Sequence, residues 1–421
     1  MIAPVDILVV ALVLAAAIGC INYRWIKLPP SIAMLLGSLA LSLLIAASDH
    51  VFHLHAMSWF RGALDATNFP RVFLNAILAL LLFAGTLHVD IAELNRRRWM
   101  ILVLATASVV ISTVIFCFGM WGAFAALGLA VPRAWCFVLG AILAPTDAVV
   151  VENLLRRLSL PPGLSAAIVG ESLFNDGAGV VLFLLALGVT QGETLVLGHG
   201  EVLLALLREI VGGAAIGLVA GWLAGRLIRA IADQNLQLLI SLALVLGCYR
   251  IANLSELSGP IAVVTAGLCL ASPSPRFGMG PSPRKVLVGF WSLLDQLLNT
   301  MLFLLIGLEV LGLVVQPIQL LPVLFAIPLA IASRLISVAV PLAMTREPLR
   351  DKVRDTMVLT WAGLRGGISI ALALTLPASP WRTDLLVVTY AVVVFTITVQ
   401  GLTMSGFLRT AYGAKNLPDR P

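Results

Sequence analysis

The chain has 421 residues, of which 60% are hydrophobic and only 11% charged. With a mean hydropathy of +1.04, that composition excludes a soluble domain of this length and defines a polytopic membrane protein. A formal charge of +6 and a pI near 9.4 suggest a nucleic-acid partner only until the cations are mapped, and they fall in short connections between apolar runs, which removes that reading.

A membrane-spanning helix needs roughly 20 apolar residues. On that measure thirteen spans are predicted, at 5–22, 28–47, 71–91, 99–128, 133–154, 162–188, 200–229, 235–251, 255–272, 286–313, 318–344, 352–375 and 382–409. The N-terminus has no basic stretch of the kind that precedes a cleaved signal, so the first run is expected to stay as a helix. Cys20, Cys117, Cys136, Cys248 and Cys269 are scattered singly through apolar segments, without metal-ligand spacing, and read as packing residues. No connection is long enough for a soluble domain, so the prediction is a single transmembrane domain over 1–421.

Orientation follows from lysine and arginine in the connections. Nineteen of the 27 lie on one set of faces, from Arg24 and Lys27 through Arg96, Arg97 and Arg98 to Arg409, Lys415 and Arg420; five lie on the opposite face, and Arg208, Arg334 and Arg365 fall inside spans. The split alternates loop by loop, which places the N-terminus outside and the C-terminus in the cytoplasm.

Two spans are interrupted. The fifth contains Ala144-Pro145-Thr146-Asp147, where proline removes a backbone donor and disfavours helix at the residue before it. The twelfth contains Gly363-Leu364-Arg365-Gly366-Gly367, whose glycines hold a helix poorly. If 5–188 and 235–409 are two six-span repeats joined by a linking helix at 200–229, both breaks occupy the fifth helix of their repeat. The odd linking span makes the repeats inverted, and paired interruptions in inverted halves point to a transporter's binding site.

The costliest residues lie in Gly170-Glu171-Ser172-Leu173-Phe174-Asn175-Asp176-Gly177, because an ionisable group at membrane depth is expensive and by default functional. Asp147 lies 9 residues before Arg156, Asp176 14 beyond Pro162, Arg334 12 before Arg346 and Arg365 11 beyond Arg354. At about 1.5 Å per residue those separations are roughly 14 to 21 Å, so four charged residues from four helices share the middle of the membrane. Ser172 and Asp176, and Glu171 and Asn175, are four residues apart, so one face offers carboxylate, hydroxyl and amide oxygens. Hard monovalent cations prefer such ligands.

The same residues have structural readings. Glu171 is expected to pair with Arg334. Asp147 suits either ion binding or compensation of a positive helix end, and Arg365 suits a structural or a functional counter-charge. His50, His53 and His55 cluster near Asp49 beyond the second span as solvated loop residues or, less simply, a metal site. Asp295 and Glu309 on the tenth span read as interfacial or paired.

These segments resemble the first monovalent cation:proton antiporter family, the NhaP-type proteins and sodium/proton exchangers. The likeness runs the length of the chain through Leu82–Asp90, Ala144–Ala148, Glu171–Asp176, Leu304–Glu309, Arg334 and Trp361–Gly367. It implies an all-α antiporter fold with broken helices crossing at the midplane, in a homodimer in the cell's inner membrane that serves pH and sodium homeostasis. It implies that Asp176 binds cation and proton alternately, helped by Ser172 and the Thr146 backbone, while Asn175 bonds to Thr146 and Glu171 pairs with Arg334. An Asn-Asp rather than Asp-Asp pair goes with electroneutral exchange. Ala84 is a departure, since it stands where some relatives carry a glutamate that helps hold the ion.

The expected chemistry is competition for one carboxylate. Burial disfavours the charged form of an acid, so a proton and a cation (Na⁺, or Li⁺ or K⁺) displace each other at Asp176, with no cofactor. A symporter would need a second polar cluster at the midplane, and none is visible. An intramembrane enzyme would need a catalytic motif, and HExxH, GxSxG and a midplane histidine are all missing from the sequence.

Overall fold

A computed structural model describes residues 4–52, 69–89, 91–147, 162–192, 199–272, 279, 281–310, 317–344 and 352–412. Among them every regular element is helical. In chain order these are α1 (Pro4–Ile21), which continues as a π-helical turn to Ile26, α2 (Pro30–Phe52), α3 (Phe69–His88), the short α4 (Ile91–Arg96), α5 (Arg98–Ala126), α6 (Arg133–Leu143), α7 (Pro162–Gln191) and α8 (His199–Ala230). They are followed by α9 (Gln234–Leu254), α10 (Gly259–Ala271), α11 (Pro281–Glu309), α12 (Leu321–Met344), α13 (Lys352–Ala362), α14 (Gly367–Leu374), α15 (Arg382–Phe395) and α16 (Gly401–Tyr412). Nine of the described helices are long and apolar enough to cross a membrane, or ten with the bent pair α13 and α14 taken as one span. Shorter apolar helices at Ala76–His88, Arg133–Leu143 and Gly259–Ala271 lie within three further predicted spans.

Local chemistry sets several boundaries. Pro4, Pro30, Pro162 and Pro281 each stand at a first helical position, where the missing N–H costs nothing. Asp233 caps α9 by accepting from the Asn235 and Leu236 amides at 2.8 and 3.2 Å. The ninth predicted span begins later than its apolar pattern suggests. Glu256 takes φ 56°, Leu257 bonds back to the Ala252 carbonyl at 2.9 Å, and Ser258 caps the new helix. Apolar periodicity cannot register such a turn. The fifth predicted span ends as helix at Leu143; its remainder, 148–154, lies outside the described residues.

Within a bilayer, helices associate through close packing rather than expulsion of water, so small residues gather where backbones meet. Gly213, Gly217 and Gly221 form such a stripe on α8 against α10: a Cβ at Gly213 or Gly221 would lie 2.6 or 2.8 Å from the carbonyl oxygen of Ser258 or Ala266.

The buried side chains form two clusters. One gathers α1, α2, α5, α6 and α12 to α16; the other gathers α3, α8, α9 and α10. Two helices serve both. On α11, Leu287 and Trp291 belong to the second cluster and Met301 to Leu308 to the first; on α7, Leu173 belongs to the second and Leu164, Ile168 and Phe183 to the first. The polar residues of the predicted site lie along this seam.

Candidate functional site

The two breaks meet. Residues 144–147 follow the end of α6 outside any helix, and 363–366 separate α13 from α14, whose axes differ by 49°. The Asp147 N–H donates to the Leu364 carbonyl at 2.7 Å, so one break is bonded through its backbone to the other. The Arg365 guanidinium donates to the carbonyls of Ala144 and Pro145, the latter at 3.0 Å, where α6 has just ended. Cations are favoured at a helix C-terminus. The Arg365 N–H in turn donates to Thr396 Oγ1 at 3.1 Å.

The glycines make the approach possible. A Cβ on Gly366, just before the first residue of α14, would collide with the Asp147 carboxylate, and one on Gly363 would collide with the Arg334 guanidinium. The Asp147 carboxylate thus sits against the N-terminal end of α14, the end that favours an anion. Both readings offered for Asp147 and Arg365 keep a physical basis here, since each lies against the helix end of suitable polarity.

On α7 the four polar residues divide. Ser172 Oγ donates to the Thr146 carbonyl at 2.5 Å, and Asn175 Nδ2 donates to Thr146 Oγ1 at 2.7 Å. Thr146 therefore anchors α7 to the broken segment through its backbone and its hydroxyl. Glu171 turns away. It accepts both guanidinium nitrogens of Arg334 at 2.5 and 2.9 Å and is 1% exposed. Ser108 and the Leu359 carbonyl accept further bonds from Arg334.

Asp176 is 8% exposed, and its Oδ1 has no hydrogen-bond partner among the described residues. It lines a cavity of about 80 Å³ together with Ser172, Asp147, Asn299 and apolar residues of α3 and α14. Since about 10–15 Å³ suffices for one water, the space accepts a partly hydrated monovalent cation. The carboxylates of Asp147 and Asp176 and the Ser172 hydroxyl are hard oxygen ligands that suit such an ion.

The structure thus brings together Thr146, Asp147, Ser172, Asn175 and Asp176, pairs Glu171 with Arg334, and crosses the segments containing Pro145, Gly363, Arg365, Gly366 and Gly367. Ala84 is fully buried on α3 and is not among the residues lining the cavity. Asp295 accepts from Asn299 at 3.1 Å. The loop residues His53 and His55, and the side chain of His50, lie outside the described residues, among which no group of three or more His, Cys, Asp or Glu is placed to hold a metal ion. Sequence reasoning passed over Asn299, Ser108 and Thr396. Asn299 carried a usable signal, an amide one helical turn after Asp295 in an apolar run.

A helical bundle in which two broken segments cross beside a buried carboxylate is the architecture of a membrane transporter. A family model described as sodium/hydrogen exchanger, transmembrane, matches residues 9–410. The chain is 35% identical over 421 residues to the Na(+)/H(+) antiporter NhaP of Pseudomonas aeruginosa, with 98% of each chain covered. It is 31% identical over 412 residues to the Na(+)/H(+) antiporter NhaH of Halobacillus dabanensis, covering 95% of this chain and 96% of that one. The solved structure of the sodium proton antiporter MjNhaP1 from Methanocaldococcus jannaschii shares the fold, with a TM-score of 0.75 at 21% identity and 99% of each chain covered. The chain belongs to the sodium/hydrogen exchanger family.

Proposed function

We propose that this protein is a secondary antiporter that exchanges a monovalent cation, Na⁺ above all, for a proton, and that Asp176 is the group both ions load. One observation carries the reading: Asp176 keeps a buried, unpartnered carboxylate oxygen at a cavity, whereas its neighbour Glu171 is doubly bonded to Arg334. Charge arithmetic supports the stoichiometry. Among Asp147, Glu171, Asp176, Arg334 and Arg365, three acids stand with two guanidinium groups, and Glu171 is bonded to Arg334, so the group carries one excess negative charge. A single proton or a single cation neutralises it, so one-for-one exchange moves no net charge.

The cycle follows from desolvation. An ionised, unloaded carboxylate is costly to carry through the membrane interior, whereas either loaded form is neutral. Only loaded forms change sides, and exchange becomes obligatory. We further infer thirteen spans in two inverted repeats around α8, an external N-terminus and a cytoplasmic C-terminus, and a homodimer in the inner membrane. The alternating cation count of the connections and the paired breaks support the topology; the likeness to NhaP-type relatives supports the setting.

Purified protein in liposomes loaded with a pH dye tests the reading. Na⁺ added outside should alkalinise the lumen, because its entry drives protons out, at a rate unmoved by a clamped membrane potential. No cation-driven pH change with Na⁺, Li⁺ or K⁺ would overturn the antiport assignment. A rate that follows the potential would overturn electroneutrality.

A further inference from the structure

We propose that Asn299 is a ligand of the transported cation, an inference that rests on the cation-site reading above. Asn299 is 4% exposed on α11 and lines the same cavity as Asp176 and Ser172. Its Nδ2 donates backwards along the helix to the Asp295 carbonyl at 3.0 Å and to Asp295 Oδ1 at 3.1 Å. Those two bonds decide which end of the amide is nitrogen. The other end, Oδ1, is buried and has no hydrogen-bond partner among the described residues. An amide oxygen held in that way is preorganised to coordinate a cation, because its orientation is fixed by bonds the ion does not disturb.

Position strengthens the case. The cavity wall built from α3, α11 and α14 consists of Ile77, Leu78, Leu81 and their apolar neighbours, and Asn299 brings that wall its one side-chain oxygen. A cation beside Asp176 and Ser172 would otherwise meet hydrocarbon on that side. None of the α3 residues lining the cavity carries a side-chain oxygen, so a ligand from α11 completes the shell.

The chemistry of the amide gives it a distinct task. An amide oxygen coordinates Na⁺ but does not take up a proton near neutral pH, whereas the Asp176 carboxylate binds both. Asn299 therefore raises affinity for the cation without raising affinity for its competitor. Being neutral, it also leaves the single excess charge of the site unchanged. It is a specificity device for cation over proton.

The test is the Na⁺ KM of exchange measured in liposomes across pH for wild type, Asn299→Ala and Asn299→Ser, with Asp176→Asn as the inactive control. Removal of the oxygen should raise the Na⁺ KM of Asn299→Ala about tenfold at every pH, which is about 1.4 kcal/mol. The pH at which KM begins to climb, set by proton binding at Asp176, should not move. Asn299→Ser, with a shorter oxygen, should fall between wild type and Asn299→Ala. A KM within twofold of wild type in Asn299→Ala overturns the proposal, as does a displaced pH profile. Loss of folded protein in both variants would mark the residue as structural and overturn it equally. If wild type itself fails to exchange, the antiport reading is at fault; wild-type exchange with unaltered KM in the Asn299 variants sinks this inference alone.

Discussion

Glu171 and Asp176 stand five residues apart on one helix, both carboxylates and both buried, yet their surroundings are opposite. Glu171 is held by two charge-assisted bonds from Arg334, which also donates to Ser108 and to the Leu359 carbonyl. Asp176 borders a cavity and keeps an oxygen without a hydrogen-bond partner among the described residues. A carboxylate whose charge is already matched gains nothing from binding an ion, whereas one without a fixed counter-charge must recruit a mobile one. The contrast teaches that partners, more than residue type or depth, set apart the acid proposed as structural from the acid proposed to carry the ions.

The comparison can be broken most directly at Asp176. Asp176→Asn should abolish exchange in liposomes while leaving yield and thermal stability near wild type, since the shape is kept and no partner is stranded. Retained proton-coupled Na⁺ transport in that variant would falsify the assignment of Asp176. At Glu171 the opposite pattern is expected. Glu171→Gln or Arg334→Ala strands a buried charge, at a cost of about 3–5 kcal/mol, and should deplete folded protein in a detergent thermal-stability assay. Changing both members to apolar residues of similar volume should restore much of that stability. Normal stability in both single variants would remove the distinction between the two acids.

Gly366→Ala sharpens the picture at the crossing. The added methyl meets the Asp147 carboxylate, so a loss of about 1–3 kcal/mol is expected, together with reduced exchange. Gly122, on α5, provides the matched contrast, for nothing lies within 4 Å of a Cβ built there. Gly122→Ala should leave exchange untouched and shift stability upward by at most about 1 kcal/mol. Equal effects of the two glycine substitutions would show that the close approach at Gly366 is unimportant.

Much of the site was legible because polar residues are expensive in an apolar chain. Asp147, Asp176, Arg334 and Arg365 declared themselves by depth, and Pro145 with the glycines 363–367 located the breaks. Other features were not legible for physical reasons. Helical spacing placed Glu171 beside Asn175, but side-chain length and the guanidinium of Arg334 turn Glu171 the other way. The start of α10 depends on the left-handed backbone at Glu256, which apolar periodicity does not record. Thr396 and Ser108 are single hydroxyls whose roles exist only through distant partners. The seam between the two apolar clusters is likewise invisible, because the apolar residues of α7 and α11 carry no mark of which cluster each joins.

The bonds across the crossing have a mechanical consequence. With the Asp147 amide fastened to Leu364 and the Arg365 guanidinium clasping the carbonyls of Ala144 and Pro145, the two interruptions lock each other. The broken segments are a rivet rather than a hinge: a displacement of α6 drags α13 and α14 along. Thr146, bonded to Ser172 and Asn175, adds α7 to the same piece. These bonds predict that any displacement of Asp176 carries α6, α7, α13 and α14 together as one stiff insert.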